Sequence, residues 1–420
     1  MILRRRPFSI ALAAALLPSL AAAEGLSVGG HGKASLSGAR YPGSSILRDS
    51  LGSTSLDAAA ELRVNIEWRQ AGWSADASYQ LITLFSERLD TATEPPSAFS
   101  LFGTELPGDD RRLMDLTSTI NDSRDYAFVQ RLDRLWFGYT NEKTVLRFGR
   151  QALSWGNGLF YAPMDLVNPF DPAAIDTEYK AGDDMLYFQY LRDNGADLQS
   201  AIVIRRDPQN GDVDTNERTA ALKYHGFAES FEFDLLLAES YGDVVAGLGI
   251  NRSLGGAVVG ADLVLTDTGD DTYLEAVANL SYSWMMRGKN VTGALEYYFN
   301  GFGQSGDYST VDLAGDPELA GRLARRQQFT LGRQYLAGSV SIEMTPLWTL
   351  SPAILANLTD PSALIQLTSR YSLSDNMTLL GNLNLPLGSR GSEFGGISVS
   401  GTARYLSSGV GLYVQVAWYF

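Results

Sequence analysis

The chain has no cysteine in its 420 residues. That excludes disulfides, thiolate metal sites and a lipid-bearing N-terminal cysteine. Histidine is nearly as scarce, with His31 and His225 the whole supply. Each is expected as polar surface or lumen, and little is left from which to build a histidine-based catalytic or metal site. Neither a Gly-x-Ser-x-Gly elbow nor a His-Glu-x-x-His helix is present. The run Trp155-Gly156-Asn157-Gly158 is not a phosphate loop, because no Lys-Ser/Thr and no helix follow it. Thr266-Asp267-Thr268-Gly269-Asp270-Asp271 lacks the spacing of an EF-hand and reads as a solvated loop. No enzyme, cofactor or metal is therefore expected, and at a net charge of −15 no nucleic-acid partner is expected either. Beyond the first two dozen residues, no apolar run reaches the roughly 20 residues that a spanning helix needs.

What is present begins with an export leader. Arg4, Arg5 and Arg6 supply its positive region, Phe8 to Leu20 its apolar region, and Ala21-Ala22-Ala23 a small-residue cleavage site. Residues 1–23 are thus expected to be removed, leaving 24–420. An exported chain without a helical anchor is periplasmic, secreted or held in an outer membrane.

Apolar and polar residues alternate through most of the rest. In Glu61–Arg69, Leu62, Val64, Ile66 and Trp68 alternate with Glu61, Arg63, Asn65, Glu67 and Arg69. A helix would scatter those charges round its cylinder, whereas a strand sets them on one face. Similar runs follow at 73–85, 274–284, 291–299 and 377–385. They approach ten residues, longer than common sandwich strands and about the length that crosses a bilayer at a tilt. Charges at mid-strand would be unsatisfied in a packed core, but a wet lumen hydrates them. A mean hydropathy of −0.08 and 42 glycines agree with this reading. Closure into a barrel is the non-helical way to satisfy every backbone group in lipid.

The last residues, GVGLYVQVAWYF, place Val410, Leu412, Val414, Val416, Trp418 and Phe420 on one strand face. This end resembles the closing strand of bacterial outer-membrane β-barrels, whose terminal Phe follows apolar residues at alternate positions. The resemblance implies a C-terminal assembly signal at Trp418 and Phe420. It also implies barrel-assembly machinery and periplasmic chaperones as partners during biogenesis, and the outer membrane of a Gram-negative bacterium as location.

Connections fall into two alternating sets. Short ones are expected near 70–72, 140–143, 193–196, 225–230, 251–255, 286–289, 346–348 and 373–375. Longer ones are expected near 41–54, 87–126, 155–182, 207–217, 301–335 and 388–402, with shorter members at 240–243, 266–271 and 359–361. The fold class is therefore all-β, a transmembrane antiparallel up-and-down barrel of about 18 strands, with 16 as the alternative count. Trp68, Trp73, Trp284, Trp348 and Trp418 all sit beside expected short turns or the terminus, as a periplasmic aromatic girdle would.

In general diffusion porins, which the chain resembles in leader, alternation, terminal Phe and loop position, the third outer loop folds inward. Here that loop is 155–182. Pro163, Pro169 and Pro172 restrict it, and Leu159, Phe160, Met164, Leu166, Val167 and Phe170 give it a surface to bury. Asp165, Asp171, Asp176, Glu178, Asp183 and Asp184 are expected to point into water. Facing them, period two places Arg134 and Arg147 in the lumen, with Arg131 and Arg150 at rims or across a bulge. Acidic loop against basic wall would set a transverse field across a pore constriction; a latch that only braces the barrel is the bland counterpart. The function expected is a channel for small polar or charged solutes. A barrel that exports or inserts a polymer or lipid, and a structural or adhesive barrel, are the alternatives. No flank is marked as an oligomer interface, so monomer and homo-oligomer both remain open.

Overall fold

The computed structural model describes residues 25–86, 89 and 106–420. The leader, residues 1–23, and most of the first half of the 87–125 connection lie outside the described residues. The early strands are β1 (Leu26–Arg40), β2 (Thr54–Gln70), β3 (Trp73–Ser86), β4 (Thr117–Ser123), β5 (Tyr126–Thr140), β6 (Thr144–Gln151) and β7 (Asp183–Leu191). Next come β8 (Asp197–Val203), β9 (Thr219–Phe227), β10 (Glu232–Ser240), β11 (Asp243–Leu254), β12 (Ala257–Asp267), β13 (Thr272–Met286) and β14 (Lys289–Asn300). The last are β15 (Gln334–Thr345), β16 (Trp348–Asn357), β17 (Ser362–Ser374), β18 (Met377–Leu387), β19 (Ile397–Ser398), β20 (Tyr405–Leu406) and β21 (Gly411–Tyr419). Three short helices, α1 (Leu47–Leu51), α2 (Thr310–Ala314) and α3 (Pro317–Ala324), sit in the longer connections.

Each wall strand pairs antiparallel with its neighbours, and β21 closes the ring by pairing with both β18 and β1. Leaving out β4 and the small β19–β20 hairpin, 18 strands form the closed wall. Phe420 continues the seam: its N–H donates to the Gly30 carbonyl and its own carbonyl accepts from Gly30 N–H.

The alternation is the reason for closure. Large apolar side chains point outward and stay exposed, as at Phe148 (59%), Leu237 (63%) and Leu412 (54%). A water-soluble surface of that kind would be costly, whereas hydrocarbon accepts it. On the inward parity lie His31, Lys33, Glu61, Arg63, Glu275 and Glu296.

Tight turns close one end of the barrel. At Ala71-Gly72 (φ 49° and 87°) and Arg287-Gly288 (φ 52° and 77°) both central residues are left-handed, as the twist of a two-residue hairpin requires. Trp68, Trp73, Trp284, Trp348 and Trp418 all lie at this same end. At the other end, Tyr308, Leu319, Leu323 and Leu331 pack against Ile397 and Leu406, with Ile46 and Leu47 alongside. Three long connections, 41–53, 301–333 and 388–410, thereby share a small core of their own.

Candidate functional site: a strap through the barrel

β6 and β7 are joined by residues 152–182, and the inward faces of distant strands hold this connection. Gly156, at φ +98°, turns the chain so that Asn157 meets β12. Its N–H and its side-chain amide both donate to Asp262, each at 2.7 Å. Asn279 of β13 then donates to the Asn157 carbonyl at 2.8 Å. A Cβ on Gly158 would stand 1.8 Å from the Tyr161 carbonyl oxygen, so glycine is required there. That tight turn aims three successive N–H groups, of Leu159, Phe160 and Tyr161, at the Glu296 carboxylate of β14, at 2.5–3.0 Å. Backbone that leaves a sheet must find such partners.

Apolar packing secures the same half. Met164 and Val167 are 0% and 1% exposed, and with Trp155 they pack against inward Val145, Tyr187, Leu236 and Val264. Tyr161 stacks on Tyr298 at 4.6 Å. Leu159 and Phe170 remain exposed.

The second half is held differently. The Ala173 carbonyl accepts from Gln366 of β17 at 2.9 Å. Asp176 accepts from Lys33 of β1 at 2.7 Å and from Gln415 of β21 at 3.2 Å. Glu178 pairs with the same Lys33 at 2.8 Å and accepts from Tyr419. The Tyr179 ring lies 4.1 Å from the Arg63 guanidinium and 5.3 Å from the His31 ring. Arg134 of β5 finally donates to the Lys180 carbonyl. From β12 round to β5, the strap touches inward residues across most of the ring.

The expected acids are mostly not free in water. Asp165 is buried and pairs within the strap with Lys180 at 2.5 Å, a lysine rather than one of the wall arginines. Burial raises the Asp165 carboxyl to about 6 although Lys180 works against it. Asp171 accepts from Ala173 N–H at 2.8 Å, and desolvation raises it to about 6 as well. For Asp176, burial acts upward but Lys33 outweighs it, and the carboxyl stays below its usual range. Asp183 and Asp184 are buried; Asp183 pairs with Arg205 at 2.8 Å and Asp184 with Arg150 at 2.9 Å.

None of the six acids meets Arg134 or Arg147, so the expected pairing is corrected. Arg134 donates to Asp133 at 2.8 Å, and Arg147 stacks over the inward Trp136 ring at 4.8 Å. The reason is a bulge: β3 and β5 slip register at Ser78/Tyr79, and Asp133 is the extra residue. Strict alternation fails across it, so Arg131 and Arg134 both face inward. With Arg63 they converge on Asp133, at 3.2 Å, 2.8 Å and 2.9 Å. The cation that Asp176 and Glu178 of the strap meet is Lys33, on β1 next to the β2 that carries Arg63.

Arg150 keeps the outward parity and serves the wall instead. It grips Asp184 through Nε and Nη2 (2.9 and 3.0 Å) and Asp109 through Nη1 (2.9 Å). Arg112 also pairs with Asp109 at 2.9 Å, and Met114 N–H donates to Asp184 at 2.7 Å. β6 and β7 stop early, and residues 109–116 with β4 fill the wall above them, pairing with β5 on one side and bridging Arg205 on the other.

Solved structures match this architecture along nearly its whole length. A BenF-like porin from Pseudomonas fluorescens Pf-5 aligns over 94% of this chain and 99% of its own, with a TM-score of 0.54 and 9% identity. Acinetobacter baumannii OccAB1 aligns over 94% and 97%, at 0.54 and 10% identity. The chain has the fold of a bacterial porin. A mutant of Rh. blastica porin also aligns, over 94% of this chain and all of its own, at 0.46 and 10% identity. No protein-family model and no curated protein matches the sequence. In this porin-like barrel, the strap and the Asp133 cluster occupy the same inward space.

Proposed function

We propose that this porin-like barrel is a passive outer-membrane channel for small polar or charged solutes, narrowed by the strap and carrying out no reaction. The observation that carries the reading is the divided interior. Arg63, Arg131 and Arg134 crowd one wall around a single Asp133, and beside them Asp176 and Glu178 of the strap rest on Lys33, whose strand β1 pairs with the β2 that carries Arg63. Such unequal charge along the polar side of the interior sets a field in the passage and sorts solutes by orientation and sign. The likeness to porin structures supports the channel reading at the level of fold.

In this reading the mature barrel is 24–420, with 155–182 as its inward loop. Arg134 and Arg147, with Asp165, Asp171, Asp176, Glu178, Asp183 and Asp184, line or brace the constriction. Trp68, Trp73, Trp284, Trp348 and Trp418 form the periplasmic girdle, and Trp418 with Phe420 the assembly signal read by barrel-assembly machinery and periplasmic chaperones. The test is reversal potential in planar bilayers under a KCl gradient. Arg134→Ala with Arg147→Ala should shift it toward cation selectivity. An unchanged potential with a lowered thermal stability would leave these arginines a bracing role alone.

A further inference from the structure

One sector of the interior carries a row of six polar side chains, none of them ionised, with Arg370 following on the same parity of β17 toward the tight-turn end. On the inward parity of β17, β18 and β21, Gln366, Thr368, Asn382, Asn384, Tyr413 and Gln415 lie next to one another through the pairs Gln366–Asn384, Thr368–Asn382 and Asn382–Tyr413. Two of these amides are buried without full satisfaction. Asn384 is 0% exposed, and neither its Oδ1 nor its Nδ2 has a partner. Asn382, 2% exposed, donates to Thr368 at 2.8 Å, but its Oδ1 accepts nothing. Nearby on β1, His31 Nδ1 is also without a partner. Under the strap's first half, Asp262 and Glu296 each meet several donors. Burying an unpaired amide is unfavourable, so such groups mark a place where something else supplies the partner.

The strap crosses this sector at its least anchored part. Residues 173–176 span from Gln366 to Gln415 by single hydrogen bonds, and none of residues 173–179 is fully buried. Lys33 provides the ionic tether. When 173–179 lift away, the row of amides faces the lumen.

We propose that this row is a recognition track for uncharged polyhydroxyl solutes, of the sugar and polyol class. An amide offers a donor and an acceptor side by side, which matches the adjacent hydroxyls of a vicinal diol. A carboxylate or an ammonium group would find no opposite charge among these six side chains, the charged Arg370 and Lys33 lying at the edges of the row. The inference rests on the channel reading and narrows its solute class.

The test uses the mature chain in two assays: KCl conductance in planar bilayers, and liposome swelling in glucose, sorbitol or potassium glutamate, which has no hydroxyl. Asn384→Leu is the variant, because it removes no hydrogen bond present in the structure. It should slow swelling in glucose and sorbitol by about tenfold, the order expected when a ligand's hydrogen-bonded contact is lost, while KCl conductance and glutamate swelling stay unchanged. In the unaltered protein, added sucrose should lower conductance along a saturating curve. Equal sugar swelling in wild type and variant, or a sucrose effect linear in viscosity, would overturn the track and leave the channel standing. A wild-type protein silent in KCl would overturn the channel reading itself, and the track with it.

Discussion

Glu296 does more for the strap than any apolar side chain in it. One carboxylate takes three consecutive backbone donors that would otherwise be unpaired in a space with little water. Glu296→Ala should cost about 1–3 kcal/mol for each N–H left without a partner, with water recovering part of that loss. It should appear as a lower temperature for the electrophoretic shift of heated barrel, and as new protease cleavage within 155–172. Titration offers a second check at this scale. Glu393 accepts from Tyr335, Asn357 and Leu331 N–H in the shared core of the loop end. Burial raises its carboxyl from 4.5 to about 7. The folded protein therefore holds a proton that the unfolded chain releases, so this contribution is complete below about pH 4.5 and fades as pH rises through about 7. Unfolding temperature measured from pH 5 to pH 8 should fall, and Glu393→Gln should flatten the fall. A rising profile would contradict this assignment. Asp133 shows why some of the site was hidden in the sequence: one inserted residue reverses parity, and the alternation left Arg131 at a rim or across a bulge without deciding between them. The basic cluster of Arg63, Arg131 and Arg134 became visible only with the register.

At the scale of elements, the wall and the strap were legible to different degrees. The turns fell where the alternation broke, because lipid and water impose opposite demands on adjacent residues and each hairpin resets the pattern. The strap's stiffness and its apolar face could be read from its prolines and from Met164 and Val167. Its partners could not, since Lys33 and Asp176 are 143 residues apart and nothing local to either announces the other. The notch above β6 and β7 was equally invisible. Two short strands save no wall unless residues 109–116 close the gap, and Arg150 is the clasp. Arg150→Met should leave Asp109 and Asp184 with less charge compensation in a buried place, costing about 3–5 kcal/mol. Thermal unfolding followed by the heat-dependent electrophoretic shift would read that loss. A variant as stable as wild type would show that the segment closes the wall without the clasp.

Over the whole molecule, the asymmetry of the interior matters most. β6 to β16 meet the strap's first half through apolar clusters and capped carboxylates, so that side is filled and firm. From β17 round to β5 the wall is polar, and the strap spans it on a few side-chain contacts. In the channel we propose, the solute path runs on this second side, along the basic wall and the acidic segment of the strap that Lys33 ties down. The most direct test of this account is single-channel conductance of the purified protein in planar bilayers, with Lys33→Met measured beside it. The account predicts discrete open steps for the wild type and larger steps for the variant, whose strap has lost its ionic tether. Silent bilayers from folded, heat-modifiable protein, with the variant silent too, would contradict it.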